Sequence, residues 1–431
     1  MAHRVGEWET AVLSRTDHTC GRRAPPKGCA VGIYEELGVR PILNVAGPLT
    51  RLSGARLDPA VTAAMAEAAS QSVRMEDLQE AAGRYLAEVT GAASGYVTAG
   101  AAAGLALAAA ACIAGLDVAA MDRLPDTDGL RDEIVVQRAH LTAYTHALRL
   151  AGARLVEVGY LGFPGQGTTW PWQIEAAIGP RTAALAFSVG AAPGVVPLEE
   201  VVAIARRHGL PVIVDAAAAL PPPENLRRFV AAGADLVAFS GGKAIGGPQA
   251  SGILVGRADL IESVALQHQD MDIDPRTWTW RERYLASGRL AGPPHHGLGR
   301  PMKVGKEEIV GLVVALRRFL ARDHTAERRA QEGQLALIVA AVAGVPGVEA
   351  CLLDPASAPR AYPTAVVRLD EAVLGRTAAT VVNELLEGDP PVAVSQNFLH
   401  EGALGLIASV LAPGEEALVA ARLRVVLARR S

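Results

Sequence analysis

From about residue 32 to residue 299, short apolar runs of strand length alternate with helical patterns. The runs are Gly95-Tyr96-Val97-Thr98, Glu133-Ile134-Val135-Val136, Ala183-Ala184-Leu185-Ala186-Phe187, Val212-Ile213-Val214-Asp215 and Leu236-Val237-Ala238-Phe239. Near-continuous apolar strands separated by helices predict an α/β fold, with a mostly parallel central sheet covered on both faces. Ligands on such sheets gather at the C-terminal ends of the strands. After Arg300 the pattern changes. Ile309, Leu312, Val313, Leu316 and Leu320 mark one face of a helix expected over 307–322. A strand over 364–369 and helices over 377–386 and 415–428 complete a smaller α+β domain. The change of pattern divides the chain into a large domain, 32–302, and a small one, 303–431. Residues 1–31 carry no such periodicity and no apolar leader, and read as a poorly ordered extension.

Half of the 431 residues are apolar, enough for a sizeable core. The net charge of −4 and the absence of a long basic run give nucleic-acid binding no electrostatic support. Cys20, Cys29, Cys112 and Cys351 have neither metal-ligand spacing nor the density of a disulfide framework, as expected of a chain in the reducing cytoplasm. The apolar stretch 105–120 is Ala-rich and too short to span a bilayer, so it reads as a buried helix. No metal site is expected, and His295 and His296 are poor ligands as adjacent residues without an acid.

Four of the 41 basic residues are lysines, and one lies between glycines in Ser240-Gly241-Gly242-Lys243-Ala244-Ile245-Gly246-Gly247. Arg stays protonated in proteins, whereas Lys can become a neutral amine and form an imine. Lys243 is therefore a candidate for covalent chemistry. Asp215 ends the preceding apolar strand, one helix earlier, so a parallel crossover brings both residues to one sheet edge. A carboxylate and an amine there suit pyridoxal 5′-phosphate (PLP). Asp215 would stabilise the protonated ring nitrogen, and Lys243 would carry the cofactor and move the substrate's α-proton. A buried ion pair is the plain structural alternative.

A phosphate cradle is offered by Thr98-Ala99-Gly100-Ala101-Ala102-Ala103-Gly104, which follows a strand and opens a helix. Gly100, Ala101 and Ala102 would supply N–H groups, and Thr98 and Ser240 would supply hydroxyls. The Lys243 loop lacks the order of a nucleoside-triphosphate loop. His140, at the end of its strand, is placed to stack on a flat ring or to be an ordinary strand-end residue. Arg300 and Lys303 in Arg300-Pro301-Met302-Lys303-Val304-Gly305-Lys306 are candidates for a substrate carboxylate or phosphate, as is Arg51. A solvated helix start would also account for the first two.

The stretches Asp215-Ala216-Ala217-Ala218, Ala238-Phe239-Ser240-Gly241-Gly242-Lys243 and Arg300-Pro301-Met302-Lys303-Val304-Gly305-Lys306-Glu307-Glu308 resemble the selenium transferase-like branch of fold-type I PLP enzymes, the L-seryl-tRNA(Sec) selenium transferase / D-glucosaminate-6-phosphate ammonia-lyase family. Pro41-Ile42-Leu43-Asn44 and the segment 96–105 extend the likeness to most of the chain. The resemblance implies a large PLP domain, a small C-terminal domain and an active site shared in a homodimer or larger ring. It implies Lys243 as the cofactor lysine, Asp215 at the pyridine nitrogen, Gly100 to Ala102 at the phosphate and His140 against the ring. It favours a lyase that removes an α-proton and eliminates a β-substituent from an amino acid or amino-sugar acid. A racemase or epimerase, a selenium transferase-like enzyme and a non-catalytic binding protein are the alternatives. Only about thirty unpatterned residues precede Gly32, so a tRNA substrate is not expected. The stretch 405–411 holds no Arg for a substrate carboxylate, and 188–194 holds no Asn for the cofactor's phenolic oxygen.

Overall fold

The computed structural model describes residues 32–162, 166–190, 194–354 and 362–429. The extension expected at 1–31 lies outside them. Of the described residues, Gly32 to Ile42 belong to one unit and those from Leu43 onward to a second. In the first, the described part contains the short exposed helix Ile33–Glu36.

Within the second unit the described residues form a seven-stranded sheet. Its strands are β1 (Ser94–Thr98), β2 (Glu133–Gln137), β3 (Arg154–Val158), β4 (Thr182–Ser188), β5 (Val212–Asp215), β6 (Leu236–Ser240) and β7 (Gly252–Gly256). They run in the order β1-β7-β6-β5-β4-β2-β3, and β7 alone pairs antiparallel with its neighbours. The five strands predicted within 32–299 are all in this sheet, and the sixth, over 364–369, lies in a second sheet. The residues are apolar on both faces because both faces are covered. One face packs on the helix α1 (Ala101–Ala114), whose residues from Gly104 to Ala114 are all buried. The other face includes Leu185, Val214, Val237 and Phe239, the last fully buried, and shares its core with the helix α2 (Leu198–Arg207). No helix among the described residues is long and apolar enough to cross a membrane.

The edge strand β1 is fixed by a side chain. Gln79 donates to Val97 O at 2.9 Å and accepts from Val97 N–H at 3.1 Å, standing in for a missing strand neighbour. Gln137 makes the same pair of bonds to Val196.

The amphipathic helix expected over 307–322 is α3 (Lys306–Ala321). Its buried face, Ile309, Leu312, Ala315, Leu316 and Phe319, joins the core behind Phe239. The next helix, α4 (His324–Val342), belongs with a separate core of Leu335, Ile338, Val381, Leu385, Leu404 and Leu423. That core is covered by α5 (Glu415–Leu427) and a three-stranded antiparallel sheet of β8 (Val348–Leu352), β9 (Ala365–Leu369) and β10 (Ala403–Leu406). A strand from the other end of the chain enters it too. Leu43–Val45 pairs in parallel with Val392–Val394, and Val45 is fully buried there.

Candidate active site

Parallel register brings the candidate residues to one edge. Asp215 pairs with Ser188 on one side and Ala238 on the other. Two residues further along β6, Ser240 shares Gly252 as a partner with Thr98 of β1. His140 lies at the same edge, not at the end of its strand as expected but as the last residue of a short 3-10 turn, Arg138–His140, that follows β2.

Lys243 leaves this edge on a tight loop. Gly241 N–H donates to Ser251 O and Gly247 N–H to Gly241 O, both at 2.9 Å, and Gly246 N–H donates to Lys243 O at 3.0 Å. A Cβ on Gly241 would stand 2.2 Å from Ser251 Oγ and 2.7 Å from Leu312, so only glycine lets the loop lie flat on α3. Lys243 itself is half-buried. Burial pushes the Asp215 carboxyl above its ordinary range, while the Ala217 N–H, 3.0 Å from Oδ1, and the positive charge of Lys243 pull it back. Lys243 thus lies close enough for its charge to act on the Asp215 carboxyl.

The surrounding residues fit a flat, phosphorylated cofactor. His140 is 3% exposed, and neither ring nitrogen has a hydrogen-bond partner among the described residues. Burial pushes its pKa down to about 4, so the ring is neutral. It stands edge-on to Phe187, centroids 4.4 Å apart. Gly100 precedes α1 with φ of 112°, and a Cβ there would meet nothing within 4 Å. Open space therefore lies beside Gly100, at the head of a helix whose first-turn N–H groups lack intrahelical partners. Thr98 departs from expectation. It is fully buried and its hydroxyl donates to Gly100 O at 2.9 Å, so it shapes the loop and offers no proton to a phosphate. Ser240 is half-buried in the same row.

Arg300 and Lys303 meet in a cavity of about 640 Å³, with Ala99, Tyr96, His268 and Glu308 on its wall. Arg300 is held by Asp270 at 2.6 Å. His268 is a residue the sequence pattern did not single out. Its Nε2 faces Met302 O at 3.1 Å and must carry the proton there, leaving Nδ1 to accept from the Tyr96 hydroxyl at 2.8 Å. The imidazole therefore ties the Arg300–Lys303 turn to β1. Arg51 is not brought to this group: it lies exposed on the turn Thr50–Leu52, apart from the lining of either cation-bearing cavity. A second cavity, about 310 Å³, has Lys243, Arg56, Arg322 and Ser409 on its wall. A larger one, about 770 Å³, is lined by Glu262, Trp280, Arg283 and Tyr284 and contains none of the candidate residues. His295 and His296 do face acids, Asp122 and Asp272, each at 3.3 Å, but no group of three potential metal ligands occurs among the described residues.

Fold and site together define a fold-type I PLP enzyme, and the comparisons agree. The family model for L-seryl-tRNA selenium transferase matches residues 49–272. The 5′-C-glycyluridine monooxygenase-decarboxylase of a Streptomyces species is 36% identical over 396 residues, 90% of each chain. The D-glucosaminate-6-phosphate ammonia lyase of Salmonella typhimurium is 34% identical over 399 residues, 91% of this chain and 97% of that one. A solved structure of D-glucosaminate-6-phosphate ammonia-lyase superposes with a TM-score of 0.76 at 33% identity, covering 93% of this chain and 99% of that one. The chain belongs to the L-seryl-tRNA selenium transferase family. Its cofactor is pyridoxal 5′-phosphate, and the class expected from the sequence, a PLP-dependent enzyme with lyase chemistry, agrees with these findings.

Proposed function

We propose that the enzyme is an ammonia-lyase acting on an amino-sugar acid that carries a phosphate, with D-glucosaminate 6-phosphate as the first substrate to try. The observation that carries this reading is the placement of Asp215 at the end of β5 and of Lys243 on the loop just past the end of the neighbouring β6, in a chain 34% identical to such a lyase over most of its length. When bound, the cofactor supplies an electron sink for the charge left as a bond to the α-carbon breaks.

The chain's own groups do the rest. Lys243 Nζ takes the α-proton. Asp215, as a carboxylate, would face the ring nitrogen and keep it protonated. The α1 N-terminus at Gly100, Ala101 and Ala102, with the Ser240 hydroxyl, would hold the cofactor's phosphate. His140, neutral and buried, would lie against the ring. The substrate's β-hydroxyl would receive the proton that Lys243 Nζ has taken and leave as water with the electrons of its bond, and the enamine left behind would tautomerise to an imine that water hydrolyses to a keto acid and ammonia. Arg300 and Lys303 take the substrate's phosphate, held in position through His268.

Several features of the assembly belong to the same reading. Tyr144, Trp170 and Trp172 are 63, 52 and 65% exposed, which supports a homodimer or larger ring in which a partner covers them. We place the enzyme in the cytoplasm. The domain boundary falls near Arg322, later than 302/303, because α3 packs in the large core and the separate small core begins beyond it.

Loss of a carboxylate is the second reading, favoured by the 36% identity to a monooxygenase-decarboxylase. One assay separates the two. Purified enzyme with D-glucosaminate 6-phosphate should release ammonia without consuming oxygen and should exchange the α-proton for deuterium. Carbon dioxide release with oxygen uptake on a glycyl-type substrate, and no ammonia from amino-sugar acids, would overturn the proposal.

A further inference from the structure

The cavity that shares Lys243 is separate from the one that holds Arg300 and Lys303, and it has its own cations. Arg56, Arg322, Asp58, Glu327, Gln331 and Ser409 are on its wall with Lys243. The charges sum to three positive and two negative.

Arg322 is loosely engaged. It follows the last residue of α3, and its guanidinium donates to Ala244 O and Ile245 O at 3.4 Å each, with Glu327 at 3.6 Å. All three contacts are at the long end of the range for a charged donor, so a shorter acceptor would displace them at little cost. They also brace Arg322 against the two residues that follow Lys243. Arg56 is held from the far side by Glu415 at 2.6 Å. Ser409 Oγ is buried and has no hydrogen-bond partner among the described residues. A buried hydroxyl without a partner is unfavourable and marks a place where an acceptor or donor belongs.

We propose that this cavity binds the substrate's α-carboxylate, with Arg322 as the principal cation, Ser409 donating its hydroxyl proton and Arg56 at the rim. The inference deepens the lyase reading and rests on it. The carboxylate is bonded to the carbon that loses its proton, so it must lie beside Lys243. Lys243 is on the wall of this cavity and not of the other. The remote phosphate is then left to Arg300 and Lys303. The substrate class follows: amino acids with a carboxylate at the reacting carbon and a second anion several bonds away. The arrangement also supplies the carboxylate cation that the stretch 405–411 lacks, from a helix end and not from a strand.

The test is a titration of cofactor-loaded enzyme, read by the cofactor's absorbance. The probes are glycine, both enantiomers of alanine and of serine, and the carboxamide of each. At least one acid should perturb the band at a concentration about tenfold or more below that of its amide, the effect of one charge-assisted hydrogen bond. Arg322→Gln should remove that preference, Arg322→Lys should keep part of it, and Ser409→Ala should weaken it a few-fold. Ser409→Ala removes one unpartnered atom and is the variant least able to disturb folding. Amides that match their acids throughout, or an acid preference that survives both Arg322→Gln and Ser409→Ala, would overturn the proposal. An intact band with no acid preference removes the carboxylate site alone. A missing band in the unaltered enzyme removes the Lys243 reading and this proposal with it.

Discussion

The sheet edge and the two cation-bearing walls beside it are built by different means. At the edge, Asp215, Ser240 and the Gly100 turn are set by backbone register within the central sheet, over a core as tightly buried as Phe239. On the walls, Arg300, Lys303, Arg56 and Arg322 come from loops and helix ends, and three of the four arginine and lysine heads lean on exchangeable carboxylates: Asp270, Glu415 and Glu327. The contrast separates two tasks. A group that must face one atom of a rigid ring is best fixed by strands, whereas groups that admit and release an anion need contacts that can be traded. Chemistry is therefore assigned to the edge and substrate choice to the walls.

Breaking the edge should have the largest effects. Lys243→Ala should reduce turnover by at least roughly 10²–10⁴-fold, the share of proton transfer alone; turnover within tenfold of normal would take the lysine out of the chemistry. Phe239→Ala should cost about 3–5 kcal/mol of stability through the cavity it opens behind the edge, read as a shift of the denaturant midpoint.

His140 sharpens the comparison through pH. Its folded pKa, about 4, lies below the ordinary 6.5, so the unfolded chain takes up the proton first as pH falls. The stability tied to its neutral form is complete above pH 6.5 and is lost as pH drops from there toward 4, by roughly 3 kcal/mol in all. The raised carboxyl of Asp215 has the opposite sign: its contribution is lost as pH rises above the ordinary carboxylate value. His140→Leu should flatten the loss between pH 6.5 and 4 in equilibrium unfolding, and an unchanged slope would contradict the burial argument. On the walls the effects are smaller. Lys303→Gln should raise KM for a phosphorylated substrate about tenfold with little change in kcat. Arg51→Gln, apart from both cavities, should leave KM within about twofold.

The legibility of the two regions in the sequence follows the same division. The five strands, the Lys243 loop and Asp215 were readable because each depends on a continuous segment: apolar runs, flanking glycines and a strand-end acid one crossover away. Thr98 was misassigned, since no pattern reveals that its hydroxyl turns back to Gly100 O. The walls were only half readable. Arg300 and Lys303 stand close together in one turn, whereas Arg322, Arg56 and Ser409 come from three distant segments and meet only after the small core has packed. The pairing of Leu43–Val45 with Val392–Val394, and so the burial of Val45 in that core, escaped for the same reason.

The central claim is that the ε-amine of Lys243 carries the cofactor beside Asp215. Borohydride reduction of the purified enzyme, followed by proteolysis and mass mapping, tests it most directly. The account predicts one stoichiometric phosphopyridoxyl adduct on the peptide that contains Lys243. An adduct on Lys27, Lys303 or Lys306 in its place, or none at all on cofactor-saturated enzyme, would contradict it.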